Sequence, residues 1–146
     1  MRVVLDTTIL VRAGASPHGL ARHLLLAIIT AKHPLILSNE MLHELAKVLR
    51  YPRVMAIHRL PETQIYDFVE FLRETAEIIP LNPVFTAPIR DVNDLIVLQT
   101  AVIGEADVIC TTDRDFFQPP ASVFLHKLGI AVMDDTALIK RLRRRP

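Results

Sequence analysis

The chain has 146 residues, 51% of them hydrophobic and 23% charged, with a formal net charge of +1. That length suits one compact domain over residues 1–146, and that apolar content excludes a disordered body. A charge near neutrality argues against a broad basic field, and 5% aromatics with no Trp argue against the base-stacking surfaces of sheet-type RNA-binding modules and oligonucleotide-binding barrels.

Val3-Val4-Leu5 is short, apolar and β-branched and ends at Asp6, the pattern of a buried parallel strand. Leu20 to Ala31 carries Leu20, Leu24, Ala27 and Ile28 on one helical face, and Pro34 closes it. A second strand is expected at Leu35–Leu37. Ser38 then caps a helix to about Arg50, with Met41, Leu42, Leu45, Val48 and Leu49 inward and Pro52 as its stop. Pro61-Glu62 opens another helix, Ile78-Ile79 is a third strand, and Pro80, Pro83 and Pro88 mark an extended connection. Asp91 caps a helix ending at Gly104, where a glycine suits the C-cap. Val108–Cys110 is a fourth strand followed by the polar turn Thr111-Thr112-Asp113-Arg114-Asp115. Gly129–Met133 is a fifth, and Asp134-Asp135-Thr136 begins a last helix that runs into a basic tail at 140–146. Strands alternating with helices predict a three-layer αβα fold around a mostly parallel sheet of about five strands.

Several chemistries are excluded by spacing. Gly14, Gly19, Gly104 and Gly129 are too dispersed for a dinucleotide fingerprint or a phosphate loop. His43-Glu44 is followed by Lys47 where a zinc-protease motif needs His, and no Gly-x-Ser-x-Gly turn is present. Cys110, the single cysteine, has no partner for a disulfide and reads as core. No apolar run approaches the roughly 20 residues of a membrane span, and Asp6 interrupts any signal-like segment, so a cytoplasmic protein with no membrane partner is expected.

What remains is a set of acids. Parallel sheets bind ligands beyond the carboxyl ends of their strands, where Asp6 follows the first strand and Asp113 the fourth. Glu40 and Glu44 are one helical turn apart, and Asp91 and Asp94 share a face at a helix start. Each has a purely structural alternative: Asp6 and Asp91 as caps, Glu40 as a first-turn acid, Asp113 as an Asx turn. Together they predict mutual repulsion relieved by a divalent cation, and hard oxygen ligands select Mg²⁺ or Mn²⁺. Arg12, Lys47, Arg50 and Arg114 lie near these motifs in sequence and are candidates for phosphate contact.

The order of these motifs resembles that of the PIN-domain ribonucleases, in particular the toxin components of toxin–antitoxin pairs. Val3-Val4-Leu5-Asp6-Thr7-Thr8 is similar to the family's opening strand and first acid. Leu37-Ser38-Asn39-Glu40-Met41-Leu42-His43-Glu44-Leu45 resembles the second motif, with Glu44 matching the acid and Glu40 auxiliary. Asp91-Val92-Asn93-Asp94 resembles the third, with Asp94 the closer match and Asp91 beside it. Thr111-Thr112-Asp113-Arg114-Asp115-Phe116 resembles the fourth, with Asp113 as its acid and Asp115 beside it. The likeness spans residues 3 to 138. Two departures stand out: Thr8 replaces the usual Asn, with a hydroxyl able to serve in its place, and Leu95-Ile96 replace polar residues after the third acid.

The resemblance implies a Mg²⁺- or Mn²⁺-dependent endoribonuclease acting on single-stranded RNA. Asp6, Glu44, Asp94 and Asp113 would be catalytic and metal-binding, and Asp91, Asp115 and Glu40 further metal ligands. It also implies a cognate antitoxin, and a homodimer or higher oligomer is expected. Two other readings use the same residues. One is a catalytically degenerate PIN-like protein that binds RNA or a partner. The other is an Asp-based, Mg²⁺-dependent phosphotransfer protein, disfavoured because Thr8 stands where a dehalogenase-type phosphatase needs Asp and Asp134-Asp135 where a receiver needs a base.

Overall fold

A computed structural model describes residues 1–144. Its strands are β1 (Val3–Leu5), β2 (Ile36–Leu37), β3 (Glu77–Ile78), β4 (Val108–Cys110) and β5 (Ala131–Met133). The helices are α1 (Thr7–Ala15), α2 (Leu20–Thr30), α3 (Asn39–Leu49), α4 (Pro52–His58), α5 (Glu62–Thr75), α6 (Val92–Ile103), α7 (Ala121–Lys127) and α8 (Asp135–Arg143).

All strand pairings are parallel, but the sheet is not one continuous five-stranded ladder. β1, β4 and β5 form one ladder in the order β1-β4-β5, and β2 and β3 form another. A single bridge between Val3 and Leu35 joins them, with the Val3 N–H donating to the Pro34 carbonyl at 2.9 Å. Proline has no N–H to return, so the pairing cannot extend before Leu35 at that seam. The overall order is therefore β3-β2-β1-β4-β5.

Every side chain of β1 and β4 is fully buried. Because successive strand residues point to opposite faces, both faces of the central strands must be covered, which defines the three αβα layers. α6 packs on β1, β2 and β4, while α1 packs against α2 and α3, α2 against α8, and α3 against α5. The Ser38 hydroxyl caps α3 by accepting from the Met41 N–H at 3.3 Å. It also accepts from the Thr100 hydroxyl of α6 at 3.0 Å, fastening together two helices that carry acids.

Several expectations need correction. α1, α4 and α7 are not anticipated by the apolar pattern, and α4 buries no side chain among its residues. Pro52 ends α3 as expected but also begins α4, since a first-turn proline lacks only an N–H that has no helical partner. The third strand lies one residue earlier than Ile78-Ile79, and the second and fifth are shorter than expected. In the basic tail, Lys140, Arg141 and Arg143 belong to α8, and residues 145–146 lie outside the described part.

Gly104 does cap α6, but not through a left-handed conformation: its φ is −77° and the positive φ falls on Glu105. The glycine is required by close approach. A Cβ there would lie 2.6 Å from Ile36 Cγ2, 2.7 Å from the Thr100 carbonyl and 3.1 Å from Ile79 Cγ1. The Gly104 carbonyl accepts from Arg2 Nη2 at 2.7 Å, and Arg2 also pairs with Glu77 at 3.0 Å. Gly104→Ala is accordingly expected to destabilise the protein by about 1–3 kcal/mol through overpacking against backbone and β2. A thermal melt within a degree of the parent would contradict this close-packed junction.

Candidate active site

Asp6 begins where β1 ends. Its N–H donates to the Cys110 carbonyl at 2.9 Å, extending the β1–β4 ladder by one residue. It is only 4% exposed, and it makes no side-chain cap to α1. Instead its Oδ2 accepts from the Thr111 hydroxyl at 2.6 Å and from the Thr8 hydroxyl at 3.2 Å. Thr8 thus supplies a hydrogen bond to the first acid from the position of the usual Asn. Burial raises the Asp6 carboxyl above its ordinary value, while the Thr111 and Thr8 hydroxyls pull it back.

Asp113 follows β4 by three residues. Its N–H donates to Thr111 Oγ1 at 3.0 Å, and its Oδ1 accepts from the Asp115 N–H at 2.9 Å. The Asx-turn reading is therefore correct for one oxygen. Thr111, fully buried, links Asp6 and Asp113 through its single hydroxyl, a role that the residue pattern alone does not reveal. Its signal in the sequence is a hydroxyl directly after a buried strand and two residues before an acid.

Asp91 and Asp94 enter from α6. Asp91 Oδ1 caps the helix, accepting from the N–H groups of Asn93 and Asp94 at 2.9 and 3.0 Å. Asp94 is buried on the same first turn and pushed up to about 8. Burial is the largest cause, followed by hydrogen bonding to Asp113, the charge of Asp113, and the charges of Asp91 and Asp6. From α3, half-buried Glu44 accepts from Asn93 Nδ2 at 3.4 Å.

These elements enclose a cleft of about 560 Å³ lined by Asp6, Glu44, Asp91, Asp94 and Asp113, with Thr8, Val11 and Arg12 on the α1 wall and Val48 beside Glu44 on α3. Carboxylate oxygens of Asp94, Asp113 and Asp115 lie within 4.8 Å of one another. Asp115 is exposed and also borders an adjoining groove with Arg90 and Gln118. Glu40 is not brought in. It is exposed, and the cleft-facing stripe of α3 runs from Glu44 forward to Val48, not back to the first turn. Cys110 is buried and its thiol is pushed up to about 12, chiefly by burial, which fits a core role.

Of the basic residues near the motifs, only Arg12 lines the cleft. Arg50 turns away to Glu62 and to the Ala46 carbonyl. Lys47 and Arg114 are exposed outside the lining. Asp134 caps α8, accepting from the Ala137 N–H at 2.7 Å, and Asp135 pairs with Arg12 at 3.1 Å. No base therefore occupies the position a receiver domain would need.

The donor set suits a hard divalent cation. It consists of carboxylate oxygens brought from the end of β1, from α3, from the start of α6 and from the turn after β4, and one of them, Asp94, is held toward its protonated form when no cation shares the site.

This geometry accords with the comparisons. The sequence model for the PIN domain matches residues 2–115, and the chain belongs to the PIN domain family. No curated protein sequence matches it. Among solved structures, it is similar in fold to a chain in the crystal structure of VapBC2 from Rickettsia felis bound to a DNA fragment from their promoter. The TM-score is 0.59 at 18% identity, covering 92% of this chain and 98% of that one.

Two outcomes follow from the site. Thr111→Val removes the donor to a buried carboxylate and the acceptor for the Asp113 N–H. It should cost about 1–3 kcal/mol, read as a lower thermal midpoint. For Asp94 the sign follows from its raised value. Below the unfolded value, near 3.8, both states hold the proton, whereas between there and about 8 only the folded state does, so stability declines as pH rises through that window. The metal-free melting temperature should therefore fall from pH 5 to pH 8. Asp94→Asn should flatten that decline and melt higher than the parent at pH 8, and Mn²⁺ should restore the parent. Parallel pH profiles for parent and variant would exclude Asp94 as the source.

Proposed function

We propose that the protein is a Mg²⁺- or Mn²⁺-dependent endoribonuclease that hydrolyses single-stranded RNA, acting as the toxin of a type II toxin–antitoxin pair in the cytoplasm. The observation that carries this reading is the convergence of Asp94 and Asp113 from separate elements on one cleft, at the carboxyl edge of a parallel sheet, with Asp94 pushed up to about 8. Membership of the PIN domain family supports nuclease chemistry. The fold likeness to VapBC2 supports a toxin with a protein antitoxin. No helix among the described residues is long and apolar enough to cross a membrane.

In this reading Asp6, Glu44, Asp94 and Asp113 hold the ion, with Asp91 and Asp115 at the margin. A divalent cation held by these residues would supply a lowered pKa for bound water and would offset charge on the phosphate and the departing O3′. The chain's own part is to fix the donors. Thr8 and Thr111 orient Asp6, Thr111 also sets the turn that presents Asp113, and the cap at Asp91 holds the first turn of α6 so that Asp94 faces inward. Displacement of O3′ by water leaves 5′-phosphate and 3′-hydroxyl ends. The ribose 2′-hydroxyl is not needed as a nucleophile, so a 2′-deoxy or 2′-O-methyl group at the cleavage position remains chemically competent. Glu40, exposed and outside the cleft lining, has no part in this assignment.

The hydrogen bond from Thr8 to Asp6 favours the active enzyme over a degenerate scaffold, because the departure from the usual Asn keeps a donor on the first acid.

Purified protein with mixed single-stranded RNAs should cut only when Mn²⁺ or Mg²⁺ is supplied, and Asp94→Asn and Asp113→Ala should each lose at least about a hundredfold in rate. Cyclic 2′,3′-phosphate products would overturn the water mechanism. In cells, the chain expressed alone should slow growth. A co-expressed small antitoxin, or Asp113→Ala at the same expression level, should relieve it; equal toxicity of a folded Asp113→Ala protein would refute cleavage as the cause.

A further inference from the structure

Among the described residues, five carboxylates line the cleft, and against them stands one basic side chain, Arg12. Arg12 lies on α1 about one helical turn beyond Thr8, the residue that donates to Asp6, and its side chain lines the same cleft as the first acid. Its side chain is 49% exposed, and it is not free to swing: Nη2 pairs at 3.1 Å with Asp135 Oδ2. Asp135 in turn is only 10% exposed in its side chain and is pinned at the start of α8, where its Oδ1 accepts from the Thr136 N–H at 3.0 Å. One edge of a planar fork is thus anchored from behind by a buried carboxylate, and the remaining N–H donors are left for the cleft.

We propose that Arg12 is a substrate-positioning residue that binds a backbone phosphate of the RNA next to the scissile one, and that Asp135 holds it in place for that contact. The proposal rests on the nuclease reading above. A polyanion entering a cleft of this composition meets repulsion at every wall except the one that carries Arg12. A cation held by the carboxylates offsets charge at the scissile phosphate only, and the neighbouring phosphate needs its own partner. A guanidinium supplies two parallel donors matched to phosphate oxygens, and its anchoring by Asp135 means that little side-chain freedom is lost on binding. Of the other arginines, Arg22 donates to the Ala13 carbonyl and Arg50 pairs with Glu62, while Arg90 borders the groove beside Asp115 and Arg114 is exposed, both outside the cleft lining.

The test measures binding apart from cleavage. A labelled single-stranded RNA is titrated by fluorescence anisotropy against the full chain carrying Asp94→Asn, over a range of NaCl concentrations. Adding Arg12→Gln should weaken binding about tenfold near 0.1 M salt and make the log–log salt dependence shallower by about 0.7, the contribution of one phosphate contact on a single strand. Asp135→Asn should weaken binding severalfold with the slope unchanged, since the charge stays and its position is lost. In the otherwise native enzyme, Arg12→Gln should raise KM more than it lowers kcat, with Mn²⁺ stabilisation retained. An Arg12→Gln protein that binds RNA with the parent's affinity and slope overturns the proposal and leaves Arg12–Asp135 as a tie between α1 and α8. If Arg12→Gln does not fold, Arg12→Lys decides: severalfold weaker binding at an unchanged melting temperature supports the contact, and unchanged binding overturns it. The underlying reading fails separately, if Asp94→Asn alone leaves metal-dependent cleavage intact.

Discussion

Two carboxyl groups that would move apart in water are held against each other here because the elements carrying them cannot move. Asp94 stands on the first turn of α6, a helix packed on β1, β2 and β4, and Asp113 stands on a turn tied to Asp6 through Thr111. The Asp94 carboxyl is accordingly pushed up to about 8, first by burial and then by Asp113. The rigid, fully buried β1 and β4 make this possible, since a looser sheet would relax the cluster instead of shifting its titration.

From that constraint the remaining features take their meaning. The Ser38–Thr100 hydroxyl pair fastens α3 to α6 inside the core, so Glu44 and Asp94 are presented from a common support. The Thr111 hydroxyl donates to one acid and accepts from the backbone of another, and few groups smaller than a threonine side chain can do both in a fully buried position. At the opposite edge of the sheet, the Arg2 guanidinium joins Glu77 to the Gly104 carbonyl, closing the end where α6 meets β3.

The acids also show why a structural role and a chemical one are not alternatives. Asp91 caps α6 and lines the cleft; Asp113 makes an Asx turn and faces Asp94. Each carboxylate has two oxygens, and committing one to the backbone fixes the direction of the other. Asp6 differs, for its neighbours are hydroxyls and not a helix terminus, and Glu40 remains what its position suggests, an exposed acid at a helix start.

Much of this was legible in residue order. Short β-branched runs ending in Asp6 and Thr111–Asp113 announce buried strands with acids at their carboxyl ends, because strand burial and side-chain alternation are local properties of the chain. Likewise Ser38 and Asp91 announce helix starts, and helical spacing sets Asp94 on the first turn of its helix. What residue order does not contain is distance between elements. Whether Glu40 or Glu44 reaches the cleft depends on how α3 lies across the sheet. That β1 and β2 meet through a single bridge depends on how the two strands lie against each other, and that Gly104 is required by close approach depends on where Ile36 and Ile79 pack. The meeting of Arg12 with Asp135, more than 120 residues apart, belongs wholly to tertiary structure. Sequence patterning determines which side chains a local element can offer, and only the packing of one element on another decides which of them share a site.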